Sequence, residues 1–501
     1  MDYQIVIGLE VHIQLLTRSK LFCGCSTKFG LPPNSATCPV CSGMPGVLPV
    51  INRQAFELAL RAALALNCRI APFTKWDRKN YYYPDLPKNY QISQYDLPFS
   101  RDGWLELPAA TPLAPAGKAE KATGSPKRIG IIRVHLEEDA GKMLHDEQGG
   151  GLDSLVDLNR TGTPLLEIVT KPDISAPEEA KAFLEEIRLL MRELEVSDCE
   201  MQEGSLRCDA NINLHVPQSD RSYAATPIVE VKNLNSFRAV ERAMKYEAQR
   251  QWEAFQSTGK KLGEEPKATA GWNDAKGVTI MQRRKEEASD YRYFPEPDLV
   301  PAVVDQKWID HLKASLGELP AAQRTRLREQ YGLSPYDAGV IAQQGRRFVA
   351  YFEEVAERSG DAKEASNWLT NQVLQTLNDR KIGISSFSLT AAALADLIRE
   401  RKITGLNAQR AREVYARMLE TGAAAGKAIA DLGFKVISDE GELVAMVRRA
   451  IAANPKAVKD FKNGKTKAAD AIKGAVMRET KGMAKTDLVQ EILLRELQTA
   501  E

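Results

Sequence analysis

From Ile5 to Leu15 the chain alternates without a break. Ile5, Ile7, Leu9, Val11, Ile13 and Leu15 fall on one side of an extended segment, and Glu10, His12 and Gln14 on the other. So long a period of two specifies a half-buried β-strand, because successive side chains leave a strand on opposite faces. The polar side carries a carboxylate and an imidazole two residues apart, close enough to reach one cation. Ser205–Val216 repeats the device, with Leu206, Cys208, Ala210, Ile212 and Leu214 against Ser205, Arg207, Asp209, Asn211 and Asn213. In Arg128–Asp139, Arg133, His135 and Glu137 share one face and Ile132, Val134 and Leu136 the other. Glu138 takes the place of Glu137 if that strand ends early, and Asp139 to Lys142 turn out of it. Ile228–Asn233 sets Glu230 beside Lys232, opposite Val229 and Val231.

A single polar strand face would simply meet water. Four strands with carboxylates at mid-strand, mixed with Arg, Lys and His, fit another purpose. Carboxylates with a few waters suit Mg²⁺, and Arg and Lys cover phosphate oxygens. The pattern therefore points to a metal–nucleotide face. No GxxxxGK[ST] segment is present, so such a site is not a P-loop.

Four of the seven cysteines cluster: Cys23 and Cys25 as CxC, then Cys38 and Cys41 as CxxC. Two close pairs across a turn-rich loop suit four thiolates around one tetrahedral zinc with no open position, hence a structural site. The bland alternative is four unliganded thiols. CPVC lies in a loop, which does not fit a thioredoxin-like redox site. Trp76–Tyr95 holds five tyrosines with Arg78, Lys79 and Lys88, and alternation puts Lys79, Tyr81 and Tyr83 on one side. Aromatic rings beside cations can stack on a nucleotide and hold its phosphate, or else the tyrosines pack internally. Asp290–Asp298 is a second such segment, preceded by Arg283, Arg284 and Lys285.

With 501 residues the chain has room for two to four domains. Period-two segments dominate up to about residue 295, where a Pro-rich passage (Phe294–Pro301) closes the region. Beyond it, segments such as Ala321–Tyr331 and Pro335–Arg358 carry apolar residues at helical spacing. Pro108–Lys127 has low complexity and predicts a surface loop. Net charge is +1, so global charge does not announce nucleic acid. Lys456–Lys485, however, holds nine Lys/Arg against three Asp/Glu, which is either a solvated helix face or a contact for a phosphate backbone. No apolar run reaches a membrane-spanning length and no leader is evident, so a cytoplasmic location and no membrane partner are expected.

Eight segments in one order carry a family likeness: Gly8–Leu15, Cys38–Asn52, Arg78–Gln94, His135–Lys142, Asp157–Val169, Met201–Asn211, Glu230–Phe237 and Asp290–Leu299. Together they resemble the B subunits of tRNA-dependent amidotransferases, the GatB family. Asn463–Gly482 is similar to that family's tail domain. The resemblance implies an α+β fold: a glutamine-synthetase-like catalytic domain with a curved antiparallel sheet (1–295, zinc loop 23–41), an all-α domain (296–405) and an all-α, tRNA-binding tail (406–501). It implies a ligase that uses ATP to phosphorylate the side-chain carboxylate of Glu-tRNA(Gln) or Asp-tRNA(Asn), then amidates it with ammonia. An amidase-type glutaminase, the A subunit of such enzymes, would supply the ammonia, and a small C subunit would complete a heterotrimer.

On that footing Glu10, His12, Glu137, Asp209 and Glu230 form the expected catalytic set, with Glu10, His12 and Glu137 as magnesium ligands. Lys79, Tyr81 and Arg207 are the expected phosphate or substrate contacts, and Cys23, Cys25, Cys38 and Cys41 the zinc ligands. Three rivals remain at the level of sequence. A free-standing acid–ammonia ligase would act without tRNA. A noncatalytic zinc-containing RNA-binding protein would tolerate loss of Glu10 or His12. The archaeal relative acting only on Glu-tRNA usually carries a large extra domain, for which this chain lacks room.

Overall fold

The computed structural model describes residues 3–108, 126–145, 154–284, 291–434, 440–462, 468–480, 484 and 486–499. Most of the low-complexity loop, residue Lys285 and parts of the basic C-terminal stretch (463–467, 481–483 and 485) lie outside them. The chain divides into two compact units, Met1–Ala321 and Ala322–Glu501.

The first unit is built on one large sheet. In chain order its strands are β1 (Gln4–Gln14), β2 (Arg69–Ile70), β3 (Phe73–Thr74), β4 (Asp77–Asn80), β5 (Tyr90–Ser93) and β6 (Ser100–Leu107). There follow β7 (Lys127–Glu138), β8 (Lys142–His145), β9 (Ser154–Asp157), β10 (Pro164–Thr170), β11 (Leu206–Pro217) and β12 (Tyr223–Ala225). The last are β13 (Val229–Lys232), β14 (Ala268–Asn273), β15 (Val278–Arg284), β16 (Phe294–Pro295) and β17 (Ala302–Val303). The large sheet runs β15-β14-β13-β11-β1-β10-β7-β6-β2, with β12 beside β11. Three small sheets (β16-β4-β5, β17-β3 and β8-β9) stand apart from it.

Every pairing in the large sheet is antiparallel except β13 with β14. The exception has a local cause. Helix α3 (Phe237–Thr258) lies between those strands in sequence, started by a Ser236 side-chain cap and stopped by Gly259 at φ 67°. A helix of that length carries the chain back to the same edge, which is what a parallel pair requires. One sheet face packs with α1 (Arg53–Ala65), α2 (Pro177–Glu193) and α3 in a single apolar core that includes Ile7, Leu9, Val11, Ile13, Leu206 and Ile212.

The alternation read from sequence holds in β1 and β11, whose inward residues are buried apart from Ile5, which is half-buried. It fails in one place. Ile131 and Val134 are fully buried while Ile132 between them is 44% exposed, not on the core face. The β7–β10 register slips there, between Arg133↔Val169 and Ile131↔Thr170. A β-bulge at Ile132 inverts the phase of the strand and aims His135 and Glu137 at the polar face.

The first core also extends beyond the Pro-rich passage. Helix α4 (Gln306–Ser315) contributes Leu312, and Trp308 packs against Phe56 of α1 with ring centroids 5.8 Å apart. The second unit is helical and holds two separate apolar cores, one spanning Leu327–Phe434 and one Leu443–Leu497. In it the Pro335–Arg358 segment is two helices, α5 (Pro335–Ala342) and α6 (Arg346–Ser359), because Gly345 between them adopts φ 91°. Among the described residues no helix is long and apolar enough to cross a membrane.

Gly103 of β6 lies against the chain just past the C-terminal end of α1, at Leu66 and Cys68. A Cβ added there would stand 2.6 Å from the Leu66 carbonyl oxygen, a backbone atom that already accepts from Trp104 N at 2.9 Å. Gly103→Ala should lower the stability of this unit by about 1–3 kcal/mol through overpacking. A urea titration followed by tryptophan fluorescence measures it, and an unchanged midpoint would show that the strand can shift to make room.

Candidate active site

Strand register builds the site. Across β7, β10, β1 and β11, His135 pairs with Glu167, Glu167 with His12, and His12 with Arg207. One row away Glu137 opposes Leu165, and on the other side Glu10 opposes both Val169 and Asp209. A fourth row joins Gly8, Asn211, Glu230 and Thr269. Imidazoles and carboxylates that are far apart in sequence become neighbours because directly paired side chains lie about 5 Å apart on one face.

His12 Nε2 lies 3.4 Å from Glu167 Oε2 and 3.7 Å from Glu137 Oε1. Potential ligand atoms of these three side chains all fall within 4.8 Å of one another, so one cation could bridge them. Sequence reasoning misses Glu167. Its strand, Pro164–Thr170, is apolar on both faces, so alternation gives no clue. The available signal is a lone carboxylate with two apolar residues on either side.

Two histidines facing the same carboxylate are driven apart. Burial opposes charge on His12, but Glu167, Glu137 and Asp209 outweigh it and raise its pKa to about 9. For His135 burial dominates over attraction to Glu167, and with Arg133, His12 and Lys79 nearby its pKa falls to about 4. Burial and the neighbouring Glu167 raise Glu137 to about 7. Glu167 itself stays well below the usual carboxylate range, since His135 and His12 overcome its burial. Glu138 is also buried but serves the other side of the strand, accepting from Lys88 Nζ and from Ile92 N. Glu137 is thus the carboxylate that joins His12.

The remaining expected residues form a second group. Asn211 Nδ2 donates to Glu10 Oε1 at 2.9 Å, and Lys232 Nζ lies 2.6 Å from Asp209 and 3.6 Å from Glu230. Glu230 also accepts from Thr269 Oγ1 at 3.1 Å. Glu10 therefore stands with Asp209, and its expected place beside His12 and Glu137 is filled by Glu167. Arg207 donates to Asp139 Oδ1 at 2.8 Å. Asp139, which the sequence pattern sets in an open turn, is buried and is also held by Gln14 Nε2 and Arg160. Lys79 has no carboxylate within 4 Å among the described residues. Its ammonium rests over the rings of Tyr81 and Tyr291 at 5.6 and 5.0 Å.

The tyrosines pack with one another around the polar face. Tyr81 meets Tyr83 and Tyr291 edge-on, Tyr291 meets Tyr293, and Tyr293 stacks on Tyr95 with centroids 4.2 Å apart. Ser93, two residues before Tyr95, donates to Glu137 Oε2 at 3.4 Å, so this group borders the His12 cluster. The segment carrying Tyr291 and Tyr293 is fastened by Arg78, whose Nε and Nη2 reach the two oxygens of buried Glu296 at 2.6 and 2.8 Å. Elsewhere, the sulfurs of Cys23, Cys25, Cys38 and Cys41 also lie within 4.8 Å of one another. Cys38 and Cys41 are 3.9 Å apart, close to the ~3.8 Å edge of a tetrahedron with 2.3 Å metal–sulfur bonds.

A sheet that gathers imidazoles, carboxylates and cations on one face describes a catalytic domain, and the comparisons agree. Residues 5–310 match the family model described as the GatB/GatE catalytic domain, and residues 350–497 that described as the GatB domain. That makes this the catalytic component of a ligase rather than a noncatalytic RNA-binding protein. The B subunit of aspartyl/glutamyl-tRNA(Asn/Gln) amidotransferase from Rhodopirellula baltica is 48% identical over 489 residues, 98% of this chain and 96% of the relative. The protein of the same name from Moorella thermoacetica is 48% identical over 497 residues, 99% of this chain and all of the relative. The chain belongs to the GatB family, the B subunits of tRNA-dependent amidotransferases.

Glu296→Gln would remove the bidentate charge partner of Arg78 and leave it only Asp298, 3.3 Å from Nη2, at a cost of about 1–3 kcal/mol. Faster hydrogen exchange at residues 291–298 should report the loosened tyrosine segment. Unchanged protection there would show that the β16–β4 pairing holds it without the ion pair.

Proposed function

We propose that this chain phosphorylates the side-chain carboxylate of Glu or Asp esterified to tRNA, at the expense of ATP, and then joins ammonia to the activated carbonyl. The products are Gln-tRNA(Gln) or Asn-tRNA(Asn). The observation that carries this reading is the convergence of His12, Glu137 and Glu167 on one point, beside a separate acidic group made by Glu10, Asp209 and Glu230. The relatives' name, aspartyl/glutamyl-tRNA amidotransferase, fits it.

A free carboxylate resists attack by ammonia because oxide would have to leave, whereas an acyl phosphate offers phosphate. His12, Glu137 and Glu167 are the residues to hold Mg²⁺, and His12 must give up its proton to do so. Bound there, Mg²⁺ would draw charge from the transferring phosphoryl group. Lys79, free of any carboxylate partner among the described residues and held over Tyr81, is the cation best placed to meet phosphate oxygens. Glu10, Asp209 and Glu230 accept the N–H bonds of incoming ammonia. Lys232 and Asn211 fix the direction of those carboxylates. Arg207 acts through Asp139, which it keeps ionised against burial and so anchors the end of β7.

Cys23, Cys25, Cys38 and Cys41 hold a structural zinc, since four sulfurs leave it no site for substrate. An amidase-type glutaminase, the A subunit of the assembly, supplies the ammonia, and a small C subunit completes the heterotrimer. The tail, whose own core spans Leu443–Leu497, brings the basic Lys456–Lys485 stretch to the tRNA backbone.

The test is to co-purify the chain with its glutaminase partner and supply Glu-tRNA or Asp-tRNA with ATP and glutamine. Glu167→Gln and His12→Asn should each reduce amide formation by more than about a hundredfold, while the partner's glutaminase activity persists. Amide formation from a free amino acid without tRNA, or full activity in both variants, would sink the reading.

A further inference from the structure

Lys20 is completely buried, the largest charged side chain to be so among the described residues. Among the described residues no carboxylate oxygen lies within 4 Å of its Nζ. Its polar neighbours are the Leu158 carbonyl oxygen at 3.3 Å and Cys41 Sγ at 3.6 Å. An ammonium removed from water needs a countercharge, and a neutral carbonyl does not supply one. Among the described residues, the group in contact with it that can carry a negative charge is the four-cysteine cluster, through Cys41.

We propose that Lys20 is the built-in counterion of that cluster and sets its affinity for zinc. The proposal rests on the zinc assignment above. Four thiolates around Zn²⁺ carry a net charge of −2, most costly where the site is least exposed. Cys41 is the one buried member of the four, and it is the one that Lys20 meets. The Cys38 amide donates to the same sulfur at 3.2 Å.

The lysine is tied to the cluster by backbone as well. Lys20 N donates to the Cys25 carbonyl at 2.9 Å, and Asn52 Nδ2 donates to the Lys20 carbonyl at 3.3 Å. Its position is therefore fixed by the loop that the metal closes. Lys20 touches a ligand and not the metal, so it is a positioning residue.

The experiment uses the full-length chain. Zinc content is measured by elemental analysis, and zinc affinity by competition with a chromophoric chelator. Lys20→Met should bind zinc about 10–100-fold more weakly, the range for loss of a partner behind the first ligands. Lys20→Arg, which keeps the charge, should recover most of that loss. Leu60→Ala, a core truncation in α1, should lower thermal stability and leave zinc affinity near wild type. If Lys20→Met does not fold, Lys20→Gln removes the charge while keeping a polar head and is read the same way. Wild-type affinity in the uncharged variant, or an equal loss in Leu60→Ala, would overturn the role of Lys20 alone. A wild-type chain that binds no zinc would overturn the metal assignment and this proposal together.

Discussion

Strand β1 pairs with β10 on one side and β11 on the other, and the site follows from those two registers. They fix His12 between Glu167 and Arg207, and Glu10 between Val169 and Asp209. A slip of one residue in either pairing would turn these side chains into the core and bring Val11 or Ile13 to the polar face. The fully buried residues of β1 prevent this. Ile7, Val11 and Ile13 have no exposure, and moving them out of the core would forfeit about 1.5–3 kcal/mol each. Apolar packing on one face is thus what holds the chemistry in line on the other.

The same scaffold creates the electrostatic contrast within the site. His12 and His135 flank Glu167 almost symmetrically, with both Nε2 atoms 3.4 Å from the same oxygen. They nevertheless prefer opposite protonation states. Burial disfavours charge on both. For His12 the attraction of Glu167, Glu137 and Asp209 outweighs it, whereas for His135, itself 3.8 Å from Glu137, burial wins with the help of Arg133, His12 and Lys79. Around this centre the fixed charges are paired: Asp139 with Arg207 and Arg160, Asp209 with Lys232, Glu296 with Arg78. Among the described residues Lys79 has no carboxylate within 4 Å, and its ammonium rests over tyrosine rings.

Much of this was legible in the chain. The polar faces of β1 and β11 could be read directly, because each strand buries one face and period two then reports orientation. The cysteine spacing foretold four sulfurs close together. Glu167 was hidden for the converse reason, since β10 is buried on both faces and carries no alternation. The bulge at Ile132 was hidden too. Two adjacent isoleucines fit either phase, and only pairing with β10 decides between them. Asp139 gave no sign of its burial, which depends on Gln14, Arg160 and Arg207 arriving from three other segments.

By itself the sequence determined which side chains of β1 and β11 share a strand face, that helices follow the sheet region, and the family the chain resembles. Those are local properties, carried by residue spacing and by motifs in order. Tertiary structure decided which strands lie side by side, and therefore that Glu167 rather than Glu10 completes the cluster around His12 and Glu137. It also decided that Lys20 meets Cys41. Neither could be read from one strand or one loop, because distance between residues far apart in sequence is set by sheet order and register, and these emerge only when the separate apolar faces pack into one core.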